Sequence, residues 1–248
     1  MAVQFFQRPV GALLAITLLV SAIGSARVQA ASGCFNEAGV ANGTVVLDPG
    51  HGGSDPGTSN YTSANPPVLL VEKDLTLDIA ERTKNLLISS AYGYKVCMTR
   101  IDDTGMGNSE RGEYANSVGG TVYVSIHLNG SSEPAVNYVK AFYGKRNKDE
   151  AFAKHIYEKG LAPVLVGPFG VTGSSVGQFA NGALLQATME ATLTESVFLT
   201  NDEEADRLAD TATVGNRRDQ IAQALVTGIG NWAGTKPGSS SSKPGPKR

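Results

Sequence analysis

The sequence predicts an α/β fold in one domain, a largely parallel β-sheet covered by helices on both faces. Short β-branched runs such as TVVL (44–47) and TVYVSI (121–126) alternate with longer stretches of helical period. The two strongest runs each lead into a histidine, as chain leaving the carboxyl end of a parallel strand does where it carries a site. The 248 residues, 41% hydrophobic and 18% charged, are enough for one large core or two small ones. A formal net charge of -2 gives no global attraction to nucleic acid or an anionic membrane.

The chain opens with Arg8, an apolar run from Val10 to Ile23, and small residues ending in Val28-Gln29-Ala30. This is the order of a secretory signal peptide, residues 1–30, cleaved after Ala30. The run is shorter than the roughly 20 apolar residues of a bilayer span, so no transmembrane segment is expected in the mature chain. Export to the periplasm, cell envelope or exterior would let the two cysteines, Cys34 and Cys97, form a disulfide. The alternative is two free thiols.

Residues 31–43 read as a polar leader. Thr44–Leu47 is a strand stopped by Asp-Pro-Gly, and 52–67, with three prolines, a loop. From Glu72 to Ser89 the period becomes helical, with Leu75, Ile79, Leu86 and Leu87 on one face. Tyr94–Thr99 reads as a strand, 110–117 as a short helix, and Thr121–Ile126 as the strongest strand. Val136–Tyr143 follows as a strand, Lys148–Lys159 as a helix closed by Gly160, and 161–182 as a Gly-rich loop. Ala183–Gln186 and Thr192–Phe198 read as strands, with Glu190 in the turn between them. Asn201 and Glu204 form a helix-capping pair, followed by Leu208, Ile221, Leu225, Ile229 and Trp232 at helical spacing. Residues 234–248 form a flexible low-complexity tail. Its Lys236, Lys243, Lys247 and Arg248 read as a solvated end rather than a contact for an anionic polymer.

Of the three histidines, His51 and His127 follow strands, whereas His155 lies on a helix with no chemical role expected. Parallel strands would bring His51 and His127 to one rim. Glu72 opens the helix that shares its face with Leu75, Ile79 and Leu86, and so points to the same end of the sheet. Alone it would be a carboxylate placed for the helix dipole, worth about 0.3–1 kcal/mol. Beside two converging imidazoles it completes a two-nitrogen, one-oxygen donor set with an open position, the pattern of a catalytic zinc site holding one ion.

A dinucleotide cradle does not fit, because Asp55 stands where the third glycine is required and prolines delay the helix. No nucleophile-elbow pattern supports a triad on Ser125 or Ser196. A proton shuttle is sought among the carboxylates. Glu195, charged within an apolar strand run, needs a functional partner, and Glu190 competes with it.

The blocks VVLDPGHGGSDPGT (45–58), EKDLTLDIA (72–80), YKVCMTR (94–100), RGEYAN (111–116), VSIHLNG (124–130) and ESVFLTN (195–201) together resemble the zinc-dependent N-acetylmuramoyl-L-alanine amidases of bacterial peptidoglycan. The resemblance covers roughly residues 44–232. It implies a mixed sheet flanked by helices and a catalytic domain over 44–233. It further implies zinc ligation by His51, Glu72 and His127, with Glu195 rather than Glu190 as the catalytic carboxylate. Arg111 and Asn116 match positions that support the fold. Family members usually carry glycine where this chain has Val197. The implied reaction is hydrolysis of the amide between N-acetylmuramic acid and L-alanine by a monomer, with peptidoglycan as partner. Its rivals are a zinc carboxypeptidase acting on the stem peptide and a secreted, non-catalytic wall-binding protein.

Overall fold

A computed structural model describes residues 33–36 and 43–233. Residues 1–30, expected to be a signal peptide, and 234–248, expected to be a tail, lie outside the described residues. No helix among those described is long and apolar enough to cross a membrane.

The central sheet takes its parallel core from four strands: β2 (Thr44–Pro49), β5 (Lys95–Met98), β6 (Val122–Asn129) and β10 (Glu190–Phe198), in the order β5-β2-β6-β10. Two antiparallel strands flank it, β1 (Gly33–Phe35) on β5 and β7 (Tyr138–Tyr143) on β10. Two short strands, β8 (Thr172–Gly173) and β9 (Gly177–Gln178), run along the far side of β7. The sheet is therefore mixed and mostly parallel.

Both faces are covered, as the alternation within β2 requires. Val45 and Leu47 belong to the larger core, with Ile79 and Leu87 of α1 (Glu72–Ser89) and Ile221, Leu225 and Ile229 of α7 (Arg217–Ala233). Val46 faces the other way with Tyr123, Ala191 and Leu193. There it meets Ala115 of α2 (Asn108–Ser117) and Ala183 and Leu184 of α5 (Gly182–Gln186).

Several local expectations change. Ala183–Gln186 is helical, not extended: the Asn181 side chain caps the Ala183 N–H, and a four-residue apolar run has too little period to separate the two states. Gly160 does not end the preceding helix. α3 (Arg146–His155) continues through a π-helical turn, Ile156–Leu161, into α4 (Ala162–Leu165). The glycine serves close packing, since a Cβ there would sit 2.5 Å from the Ala224 carbonyl of α7. Glu190 begins β10 instead of lying in a turn. The proline-rich loop contains β3 (Ser59–Tyr61), which pairs with β4 (Leu69–Val71). Residues 161–182 hold α4, β8 and β9 as well as loop. Asn201 caps α6 (Asp202–Ala209), but the Glu204 side chain bonds Arg217 and Asn137 instead of returning to the cap.

Residues 33–35 of the expected leader form β1 of the sheet. Cys34 pairs with Cys97 across β1 and β5, and the two form a disulfide closing a sequence separation of 63 residues.

Candidate metal centre

Because β2 and β6 are parallel, His51 and His127 leave the sheet on one rim. They do so differently. His127 lies within β6, whereas His51 sits two residues beyond β2 with φ of +62°, in the left-handed region that non-glycine residues avoid. That turn is fixed from behind by two arginines. Arg111 donates to the carbonyls of Pro49 (2.7 Å) and His51 (2.6 Å), and Arg100 to those of Pro49 (3.0 Å) and Gly50 (2.8 Å). The strained backbone is thus held by charge-assisted hydrogen bonds to three successive carbonyls.

The arginine clamp rests on Asp48, a buried acid that sequence reasoning passed over as part of a strand stop. Its carboxylate accepts from Arg111 (2.8 Å), Thr99, Tyr123 and Ser125. Burial would raise the Asp48 pKa, but Arg111 and the three hydroxyls outweigh it and hold the group below the ordinary carboxylate value. The signal that singled out Glu195, a charge inside an apolar strand, was equally present at Asp48. Asn116 has a fold role too, accepting from the Thr188 N–H (2.8 Å) and donating to the Gln186 carbonyl (3.1 Å).

Glu72, first residue of α1 and 3% exposed, comes to the same rim. Its Oε2 accepts from the Thr58 N–H and its Oε1 from the Leu128 N–H, both at 2.9 Å. Two glycines make room for the cluster. A Cβ at Gly50 would lie 2.3 Å from the His127 ring, and one at Gly57 (φ +66°) would lie 2.5 Å from Glu72 Oε2.

Three donor atoms converge. His51 Nε2 is 3.0 Å from Glu72 Oε1, His127 Nδ1 is 3.2 Å from the same oxygen, and the two nitrogens are 3.1 Å apart. A tetrahedral zinc ion with bonds of about 2.0–2.1 Å separates its ligand atoms by about 3.3 Å, so the donor set fits such an ion. The other nitrogen of His51, Nδ1, lies 2.9 Å from Asp55 Oδ2, the carboxylate–imidazole contact that fixes the ring and tautomer of a ligating histidine. Burial opposes ionisation of Glu72, but the two histidines overcome it and place its pKa at about 2. Burial lowers the His51 pKa, yet Glu72 and Asp55 bring it above the ordinary histidine value.

Glu195 of β10 is the register partner of His127 on the neighbouring strand. Its Oε2 is closed off from solvent and has no hydrogen-bond partner among the described residues. Burial, reinforced by the charge of Glu72 and only partly offset by His51, pushes its pKa up to about 8. The four residues line one cleft of about 330 Å³, with Asn108, Phe179 and Asn181 on its wall. Glu190, the competing carboxylate, is elsewhere: its Oε2 accepts from the Trp232 indole at 2.9 Å. His155 also lies away from the rim, edge-on to Trp232.

Three convergent donors on the carboxyl rim of an α/β sheet form a group that could hold a metal ion, with the Glu195 carboxyl beside it. Residues 45–231 match the N-acetylmuramoyl-L-alanine amidase family, and the chain belongs to it. It is 29% identical over 185 residues to the N-acetylmuramoyl-L-alanine amidase LytC of Bacillus subtilis (strain 168), covering 75% of this chain and 34% of that protein. Against the amidase CwlM of Bacillus licheniformis it is 31% identical over 186 residues, covering 75% of this chain and 66% of the relative. The chain thus spans between about a third and two thirds of these relatives. Among solved structures, the catalytic domain of the amidase CwlV from Bacillus (Paenibacillus) polymyxa var. colistinus superposes with a TM-score of 0.66 at 28% identity. That match covers 78% of this chain and 99% of the other.

Proposed function

We propose that the protein is an exported, monomeric zinc hydrolase that cleaves the amide between N-acetylmuramic acid and L-alanine in peptidoglycan. The observation that carries this reading is the mutual 3.0–3.2 Å spacing of His51 Nε2, Glu72 Oε1 and His127 Nδ1 beside Glu195, whose buried Oε2 has no partner among the described residues. In this reading residues 1–30 direct export and 44–233 form the catalytic domain. When bound, one zinc ion supplies Lewis acidity toward the scissile carbonyl and acidifies water at the site.

The protein's own share is positional and protonic. His51, Glu72 and His127 present the ligand atoms, and Asp55 keeps the His51 ring turned toward them. Glu195 takes a proton from the attacking water as the new C–O bond forms, and passes it to the alanine nitrogen as the C–N bond breaks. Burial pushes the Glu195 pKa up to about 8 in the metal-free pocket, and the charge of a bound dication would bring it down toward the range in which a group both accepts and releases a proton near neutral pH.

Digestion of purified peptidoglycan, with mass analysis of the soluble products, tests the proposal. Expected are intact stem peptides with a free L-alanine amine and an unsubstituted glycan, abolished by chelator and restored by zinc. Release of single amino acids would instead make the protein a carboxypeptidase, and no release would leave a binding protein.

A further inference from the structure

The site residues lie in order across the sheet: His51 beyond β2, His127 on β6 and Glu195 on β10. The next strand, β7, places Lys140 directly opposite Glu195 in antiparallel register. Paired residues of adjacent strands share a face, with Cβ atoms about 4.5–5.5 Å apart. Lys140 therefore stands on the cleft side, one strand beyond the proton-handling carboxylate.

Its ammonium does not pair with Glu195. Nζ lies 5.1 Å from the centroid of the Phe142 ring, and no carboxylate is within ion-pair distance of it among the described residues. Gly177 of β9 opens space for this posture, because a Cβ there would come within 3.1 Å of Lys140 Cε and 3.2 Å of the Phe142 ring. Arg111, the one lysine or arginine lining the cleft itself, is committed to Asp48 and to backbone carbonyls. Lys140 is thus a cation beside the cleft with no acidic partner among the described residues.

The direction of the substrate follows from proton transfer. On the amidase reading, which this inference rests on, Glu195 protonates the leaving amine, so the peptide side of the scissile bond lies over β10. The chain beyond that amine advances at most about 3.3–3.6 Å per residue, and neighbouring strands are about 4.7–4.9 Å apart. Two extended residues span up to about 7 Å, so a peptide that leaves Glu195 on the side away from His127 brings its second residue over β7. We infer that Lys140 binds a carboxylate on the second residue of the stem peptide, and so selects substrates in which that group is free over those in which it is amidated.

The test compares two synthetic muramyl tripeptides joined through the side-chain carboxyl of the second residue, one with a free α-carboxylate there and one with an α-carboxamide. For the wild-type protein, KM for the carboxylate substrate is expected to be roughly fivefold to tenfold lower, with similar kcat. Lys140→Met should raise the KM of the carboxylate substrate to that of the carboxamide, and Lys140→Arg should recover part of the difference. Equal KM values in the wild type would overturn the inference while leaving the amidase reading intact. A Lys140→Met protein with lowered kcat on both substrates would also overturn it, placing the lysine with Glu195 instead of with substrate. If the wild type cleaves neither compound, the amidase reading falls and this inference with it.

Discussion

The two halves of the cleft are built by opposite means. Behind His51, Asp48, Arg111 and Arg100 are bonded to one another's elements and to three successive carbonyls of the turn. On the β10 side, among the described residues, Glu195 keeps a buried oxygen without a hydrogen-bond partner, and Lys140, opposite it, makes no ion pair. A buried polar atom left unsatisfied is costly and survives where something else completes it. On the amidase reading, the ligand half is therefore finished before anything binds, whereas the half that would handle protons waits for its substrate. Disturbing the first should damage structure and metal affinity, and disturbing the second should damage turnover alone.

The sharpest way to break the finished half is Arg111→Met, which strands the Asp48 carboxylate in the interior. Removing one partner of a buried pair costs about 3–5 kcal/mol, so denaturant titration should show a loss of that size, with zinc affinity falling as the turn loosens. Next comes the disulfide at the sheet edge. In the chain-entropy model, closing a separation of 63 residues contributes about 4 kcal/mol. The Cys34→Ser/Cys97→Ser double variant should lose up to that much unfolding free energy in a denaturant titration yet keep its kcat on peptidoglycan.

Asp55→Asn should act more narrowly. Losing the carboxylate behind a ligating imidazole weakens metal binding about 10–100-fold, which competition with a fluorescent chelator reads, while the melting curve without metal hardly moves. The smallest effect is acid sensitivity. Because the folded-state pKa of Asp48 is depressed, its stabilisation is full above the unfolded value of about 3.9 and drains away as pH falls toward the folded one. The stability gap between wild type and Asp48→Asn should therefore narrow from pH 6 to roughly pH 3.

Much of the ligand half was legible in the sequence, because strand exits and helix starts are local features. His51 and His127 end β-branched runs and Glu72 opens a helix, so a parallel sheet had to gather them. Glu195 was legible as a charge out of place, but its preference over Glu190 came from family resemblance. Asp48 and Asp55 escaped because their roles depend on partners far away in the chain or on ring orientation. Lys140 escaped because only the register of β7 against β10 shows which side it faces. The helix at 182–186 was misread because its capping and its packing on α2 are tertiary. A Cβ at Gly112 would meet the Ala183 carbonyl at 2.7 Å, a closeness that no period encodes.

The central claim, that one half binds metal and the other moves protons, is tested most directly by measuring zinc content and peptidoglycan hydrolysis on the same samples of Glu195→Ala and His127→Ala. Glu195→Ala should bind one equivalent of zinc as the wild type does and lose roughly 10²–10⁴-fold in turnover, while His127→Ala should lose both zinc and turnover. Full hydrolysis by Glu195→Ala, or its failure to bind zinc, would contradict the division.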